Sequence, residues 1–210
     1  MYMVYDTEEG RLIDIRELEK EFFAIDSTAY LDKRHGRRFT TISVKSKVKS
    51  LWNDFWVKKD KTNSKLIKAA TKGDVKKIQK LLNHLREAEK IADINFCGSE
   101  GLSALHAAAK NNQYDAMQLI LYTGEANVNM ITHNADQMTP LHLATLAQHL
   151  LIVKMLLEEF KADVDCLDAR LNTPLHYAIM IGNLKLVKII LSRSPRIDIS
   201  NEEGQTALSL

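Results

Sequence analysis

The sequence predicts a mainly α-helical solenoid of about four repeats plus a partial fifth, behind a small mixed α/β N-terminal extension. The first observation is a recurring stretch. Gln137-Met138-Thr139-Pro140-Leu141-His142-Leu143-Ala144 returns 34 residues later as Leu171-Asn172-Thr173-Pro174-Leu175-His176-Tyr177-Ala178. A looser copy, Gly101 to Ala108, lies 36 residues earlier, and a truncated one, Gly204 to Leu208, follows 33 residues after the second. A fixed period of this size marks stacked units that bury their apolar faces only against neighbours. The second observation is that each copy is followed by paired apolar residues at helical spacing, Ile152-Val153 with Leu156-Leu157 and Leu186-Val187 with Ile190-Leu191. The third is that residues 1–62 share none of this.

Taken in order, Tyr2–Tyr5 and Arg11–Ile15 are β-prone runs around Asp6–Gly10 and predict a hairpin or an extended pair. Leu18, Phe22 and Ile25 predict a short amphipathic helix over 16–25, residues 32–38 a loop and 39–44 a strand. Val48, Leu51, Trp52, Phe55 and Trp56 form one apolar stripe on a basic helix over 45–61. That stripe suits a cap over the apolar face of the first repeat. A helix docking on a membrane surface or a partner is the other reading of its lysine-rich flanks. Repeats are then expected at about 63–96, 97–129, 130–165 and 166–198, with a partial one at 199–210. His84 to Ile91 is helix-prone, so the second helix of the first repeat should run long. A fifth first helix should begin and stop near Leu210, which predicts a chain cut from a longer one.

The local chemistry agrees. Thr139 and Thr173 are good N-caps, and Pro140 and Pro174 follow in the first turn, where a missing N–H costs nothing. Gly182 should end its helix in a left-handed conformation, with Gln148 in the same place one repeat earlier. Leu141, Ala144 and Thr145 should face inward, as should Leu175, Ala178 and Ile179.

On these motifs residues 63–210 resemble the ankyrin-repeat family, most specifically in the two central repeats. The resemblance implies that His106, His142 and His176 bridge neighbouring repeats by hydrogen bonds, and that His149 is also structural. Repeats stacked about 10 Å apart would hold these histidines too far apart for one zinc, whose ligands sit at about 2 Å. The departures are also informative. The linker Gly124–Asn129 is one residue long against the family's G-A-D-V-N, Phe160 stands where that linker has its glycine, and Ile131–Asn134 lengthens a finger by two.

Other chemistry finds little support. The two cysteines, Cys97 and Cys166, make no metal or disulfide pattern and read as free thiols of a reducing compartment. No phosphate loop, nucleophile elbow or zinc-protease motif occurs, so neither catalysis nor a cofactor is expected. No apolar run approaches the roughly 18 residues of a membrane span, and no secretory signal opens the chain. Net charge is +2, which points to no bulk affinity for nucleic acid. Lys33, Arg34, Arg37, Arg38, Lys45, Lys47 and Lys49 nevertheless form a run without an acid, which is either a solvated loop or a site for an acidic partner. Bases are a poor fit, because stacking needs interleaved aromatics.

The expected function is therefore a non-catalytic, cytoplasmic scaffold or adaptor that binds a protein partner. By the resemblance, the groove-facing positions are Ala107, Lys110 and Asn111; Leu143, Leu146 and Ala147; and Tyr177, Met180 and Ile181. The finger positions include Asp136, Met138, Arg170, Leu171 and Asn172. Leu143, Leu146, Tyr177, Met180 and Ile181 make an apolar strip, either a docking site or a surface packed on the fingers or under the N-terminal segment. Two further readings are a structural subunit of a cytoskeletal or ciliary assembly, anchored by the arm 1–62, and the regulatory part of a longer enzyme.

Overall fold

The computed structural model describes residues 3–6, 11–14, 61–87 and 93–210. The chain divides into two compact units, residues 1–62 with 84–92, and residues 63–83 with 93–210. In the first unit β1 (Met3–Asp6) and β2 (Arg11–Asp14) pair antiparallel, in the register Met3↔Asp14 to Asp6↔Arg11. This is the hairpin expected from the two β-prone runs. The expected elements over 16–25, 32–38 and 39–44, most of the helix over 45–61 with its tryptophans, and the basic run Lys33 to Lys49 lie outside the described residues.

The second unit is a stack of helix pairs. The first pair is α1 (residues 61–72) and α2 (Val75–Glu87), the latter long as its sequence predicts. Then follow α3 (Ala104–Lys110) with α4 (Tyr114–Leu121), α5 (Pro140–Leu146) with α6 (Leu150–Glu158), and α7 (Pro174–Ile181) with α8 (Leu184–Leu191). First helices pack on first helices, α3 on α5 and α5 on α7, while α6 packs on α8. The core between the layers is built from fully buried side chains such as Leu141, Ile152, Leu156, Leu175, Leu186 and Ile190.

Each first helix ends the same way. Gly73, Asn112, Gln148 and Gly182 take positive φ of 69°, 56°, 58° and 74°. The residue after each donates its N–H to a buried alanine carbonyl five positions back, at Ala69, Ala108, Ala144 and Ala178. A side chain larger than alanine's at these four places would push the neighbouring helix away. The left-handed turn favours glycine, so Asn112 and Gln148 carry strain that Gly73 and Gly182 do not. The second helices are followed by a similar turn at Gly124, Lys161 and Ser194. Lys161, rather than the expected Phe160, therefore occupies the glycine's place. The linker Gly124–Asn129 is the longer by Glu125, and counting from the helix end places the pair correctly.

Three more expectations change. Leu191 is 46% exposed and Val187 half-buried, whereas the equivalent Leu157 and Val153 are buried. The cause is position: α6 is covered by α8, and residues 199–210 supply no further second helix. The fifth first helix is only a turn around Thr206–Ser209, held by the Ser209 N–H on the Thr206 carbonyl, although Ala207 is buried. Ile179, expected inside, is half-buried.

Candidate interaction face

The scaffold of this face is a repeated histidine bridge. Ser103, Thr139 and Thr173 are the N-caps of α3, α5 and α7, and each hydroxyl accepts from the backbone N–H three residues on. That third residue is His106, His142 or His176, whose Nδ1 accepts the backbone N–H of the cap at 3.3, 3.3 and 3.1 Å. With Nδ1 an acceptor, Nε2 carries the proton and donates to the next unit. It reaches Met130 O at 2.8 Å from His106, Asn172 O at 3.0 Å from His142 and Gln205 O at 3.2 Å from His176. Burial holds His106 down to a pKa of about 4 and lowers His142 as well, so both rings stay neutral. His149 adds a bridge of its own, from Nε2 to Lys110 O at 3.1 Å.

Fingers join the units on one side. Their base bonds run from Gly98 N to Leu102 O, Asp168 N to Asn172 O and Asn201 N to Gln205 O, each enclosing the same span. In the finger of the third repeat the bond runs from Thr132 N to Met138 O, two residues wider, as the insertion requires. Adjacent fingers are linked by His133 N on Gly101 O, Ala169 N on Asp136 O and Glu202 N on Arg170 O. A side-chain oxygen organises the turn in the last three of these fingers. Asp168 Oδ1 accepts the N–H groups of Arg170 and Asn172 at 2.9 and 2.8 Å, and Asn201 Oδ1 those of Glu203 and Gln205.

Against this frame the proposed contact residues separate. Leu146 and Met180, at equivalent places on α5 and α7, are 37% and 50% exposed. Leu143, Tyr177 and Ile181 on the same helices are half-buried. Tyr177 is partly committed, its hydroxyl donating to Asp168 Oδ2 and its ring meeting His142 edge-on with centroids 6.0 Å apart. On the fingers Asp136 and Arg170 are exposed and Met138 half-buried. Asn172 is a correction: it is only 6% exposed, and its side-chain oxygen accepts from Asn201. The finger reverses at Leu171, whose φ is 59°, which turns Arg170 outward and Asn172 inward. Ala107 is also buried, leaving Lys110 and Asn111 to represent α3 on this face. Ile131 and Leu167, exposed beside the fingers, were not legible as surface residues because no periodicity governs a linker. Asp168 could have been found, since an Asp or Asn recurs at that place as Asn201.

The cysteines serve no such face. Cys166 Sγ lies 3.2 Å from Thr139 Oγ1, and burial pushes its pKa up to about 12; burial raises Cys97 too. Among the described residues no cluster of His, Cys, Asp or Glu could hold a metal ion, and no helix is long and apolar enough to cross a membrane.

Comparison with known proteins agrees with this architecture. The family described as ankyrin repeats in three copies matches residues 66–168, and that described as ankyrin repeats in many copies matches 146–191. The chain is 35% identical over 103 residues to the nuclear factor NF-kappa-B p105 subunit of Gallus gallus. That match takes in 49% of this chain and spans about a tenth of the relative's length, 10%. Such repeats are protein-interaction modules, generally without catalysis. The capped histidine bridges, the helix-pair stack and the family matches over 66–191 together establish that this chain belongs to the ankyrin-repeat family.

Proposed function

We propose that this chain is a non-catalytic scaffold that takes a protein partner on the first-helix face of α5 and α7 and the finger tips beside it. The observation that carries this is the exposure of Leu146 and Met180 at equivalent places of consecutive repeats. Two large apolar side chains held in solvent by rigid, capped helices form a preformed contact, so little ordering entropy opposes binding. Leu143, Tyr177 and Ile181 flank them, and Asp136, Met138 and Arg170 supply the polar margin. Such a scaffold fits a cytoplasmic setting. The experiment is quantitative affinity capture from native extract with the whole chain and with Leu146→Glu/Met180→Glu. Both positions are exposed, so the double variant should keep its melting temperature while losing its partner. Equal capture by both proteins would remove this face from consideration.

A further inference from the structure

The first-helix face changes character along the stack. The common left-handed turns fix which residues are equivalent, counting back from Gly73, Asn112, Gln148 and Gly182. Two places back stand Thr71, Lys110, Leu146 and Met180, and one place back Lys72, Asn111, Ala147 and Ile181. Five places back stand Lys68, Ala107, Leu143 and Tyr177. Cross-repeat bonds from Gln113 to Thr71 O, from His149 to Lys110 O and from Asn183 to Gln148 keep these helix ends in line. The face is therefore cationic on the first two repeats, through Lys68, Lys72 and Lys110, and apolar on the next two.

Among the described side chains the charge of the first repeat is one-sided. Residues 63–83 carry Lys65, Lys68, Lys72, Lys76, Lys77 and Lys80, all exposed, against a single carboxylate, Asp74. Asp74 is engaged in capping, its Oδ1 accepting the N–H of Lys77 at 3.0 Å. The ion pairs found among the described residues, Lys154–Glu158 and Arg196–Asp198, involve none of these lysines. The finger of the second repeat carries one exposed acid, Glu100.

We propose that the face takes one extended peptide of two parts, an acidic segment on Lys68, Lys72 and Lys110 and a large-apolar segment on Leu146 and Met180. This rests on the first-helix face being the docking surface and names the chemistry of what docks there. Helices pack about 8–10 Å apart and an extended chain advances about 3.3 Å per residue, so each repeat is matched by roughly three residues of peptide. The two segments then stand roughly six residues apart from centre to centre. Charge selects the encounter and the apolar anchor holds it, while the short tether makes the second contact intramolecular.

The test uses labelled synthetic peptides and the whole chain, read by fluorescence anisotropy. The probes are a glutamate run joined by a Gly-Ser spacer to a Leu/Phe run, made in both orders, and each run alone. The better bipartite probe should bind about tenfold or more tighter than either half. Lys68→Glu/Lys72→Glu should reduce it to the level of the Leu/Phe run, and added salt should do the same. A bipartite probe that binds no better than its apolar half, fails to bind, or ignores the lysine variant overturns the proposal. Met180→Glu separates the two levels of the argument. If it alone weakens binding, the apolar docking face stands and the bipartite partner falls; if it changes nothing, the docking face falls with it.

Discussion

Tyr177 on α7 donates its hydroxyl to Asp168 Oδ2, while Oδ1 of the same carboxylate holds the backbone of the finger before it. One half-buried side chain thus ties a first helix to the finger that leads into it. Burial and the Asp168 carboxylate both raise the phenol pKa, so the hydroxyl remains a donor at any ordinary pH. Tyr177→Phe keeps the ring and removes the tie. It should cost about 1–2 kcal/mol, since a bond to a charged acceptor is worth more than a neutral one but Asp168 keeps its other two donors. Thermal unfolding of the variant checks the magnitude. Binding through the ring should survive, whereas Tyr177→Ala should lose both.

The histidine bridges predict a pH dependence. His106 is held at about pKa 4 in the fold against 6.5 when free. Between these values the unfolded chain binds the extra proton and the folded chain does not, so stability rises with pH across that window. Stability from this residue is complete above about pH 6.5 and is lost progressively as pH falls toward 4. His142 shifts in the same direction and adds to the slope. Melting temperature followed from pH 7.5 down to pH 5, above most carboxylate titrations, should fall steadily. His106→Gln, whose amide can still accept and donate, should flatten that fall; an unchanged profile would remove His106 as its source.

His142→Ala takes away the ring that accepts from Thr139 N–H and donates to Asn172 O, leaving the buried Thr139 N–H without a partner and Asn172 O with only its bond from Asp168, and opening a cavity where the buried ring stood. One orphaned buried N–H costs about 1–3 kcal/mol and the cavity adds to it, so this single change should destabilise the central repeats by roughly 2–5 kcal/mol. Hydrogen exchange should show faster opening at α5 and α7 first. The loss should exceed that from His149→Ala, whose single bridge to Lys110 O is exposed.

Gln148→Gly acts in the opposite direction. Gln148 sits at φ 58° where Gly182 sits at 74° one repeat on. Relieving that left-handed backbone should gain about 0.5–1 kcal/mol, reduced slightly by the lost exposed bond from Asn183. A higher melting temperature is the expected result.

What could be read in the sequence follows the range of the forces involved. The bounds of α6 and α8, the caps Thr139 and Thr173 and the turn at Gly182 are set within a few residues, so motif and period reveal them. The wider finger of the third repeat was legible too, because an insertion is a matter of counting. Asn172 was not, because whether Arg170 or Asn172 faces out depends on the reversal at Leu171. Leu191 carries the same pattern as Leu157 and differs only in what lies beyond it. The gradient from Lys68 to Met180 is written in the sequence, yet it becomes a single surface only once the four left-handed turns put the repeats in register.

The finger of the third repeat closes at Thr132 and Met138 with the same backbone bond as its shorter neighbours, and meets the adjoining fingers through main-chain groups at His133 and Asp136. Both joints are main-chain bonds, while at the tip Asn134 Oδ1 accepts from Thr132 Oγ1 and from the Asp136 N–H. The tip is consequently a splice point. Foreign sequence grafted between His133 and Asp136 would keep both main-chain joints at the cost of the two bonds that Asn134 makes, and loop length becomes a dial for reach.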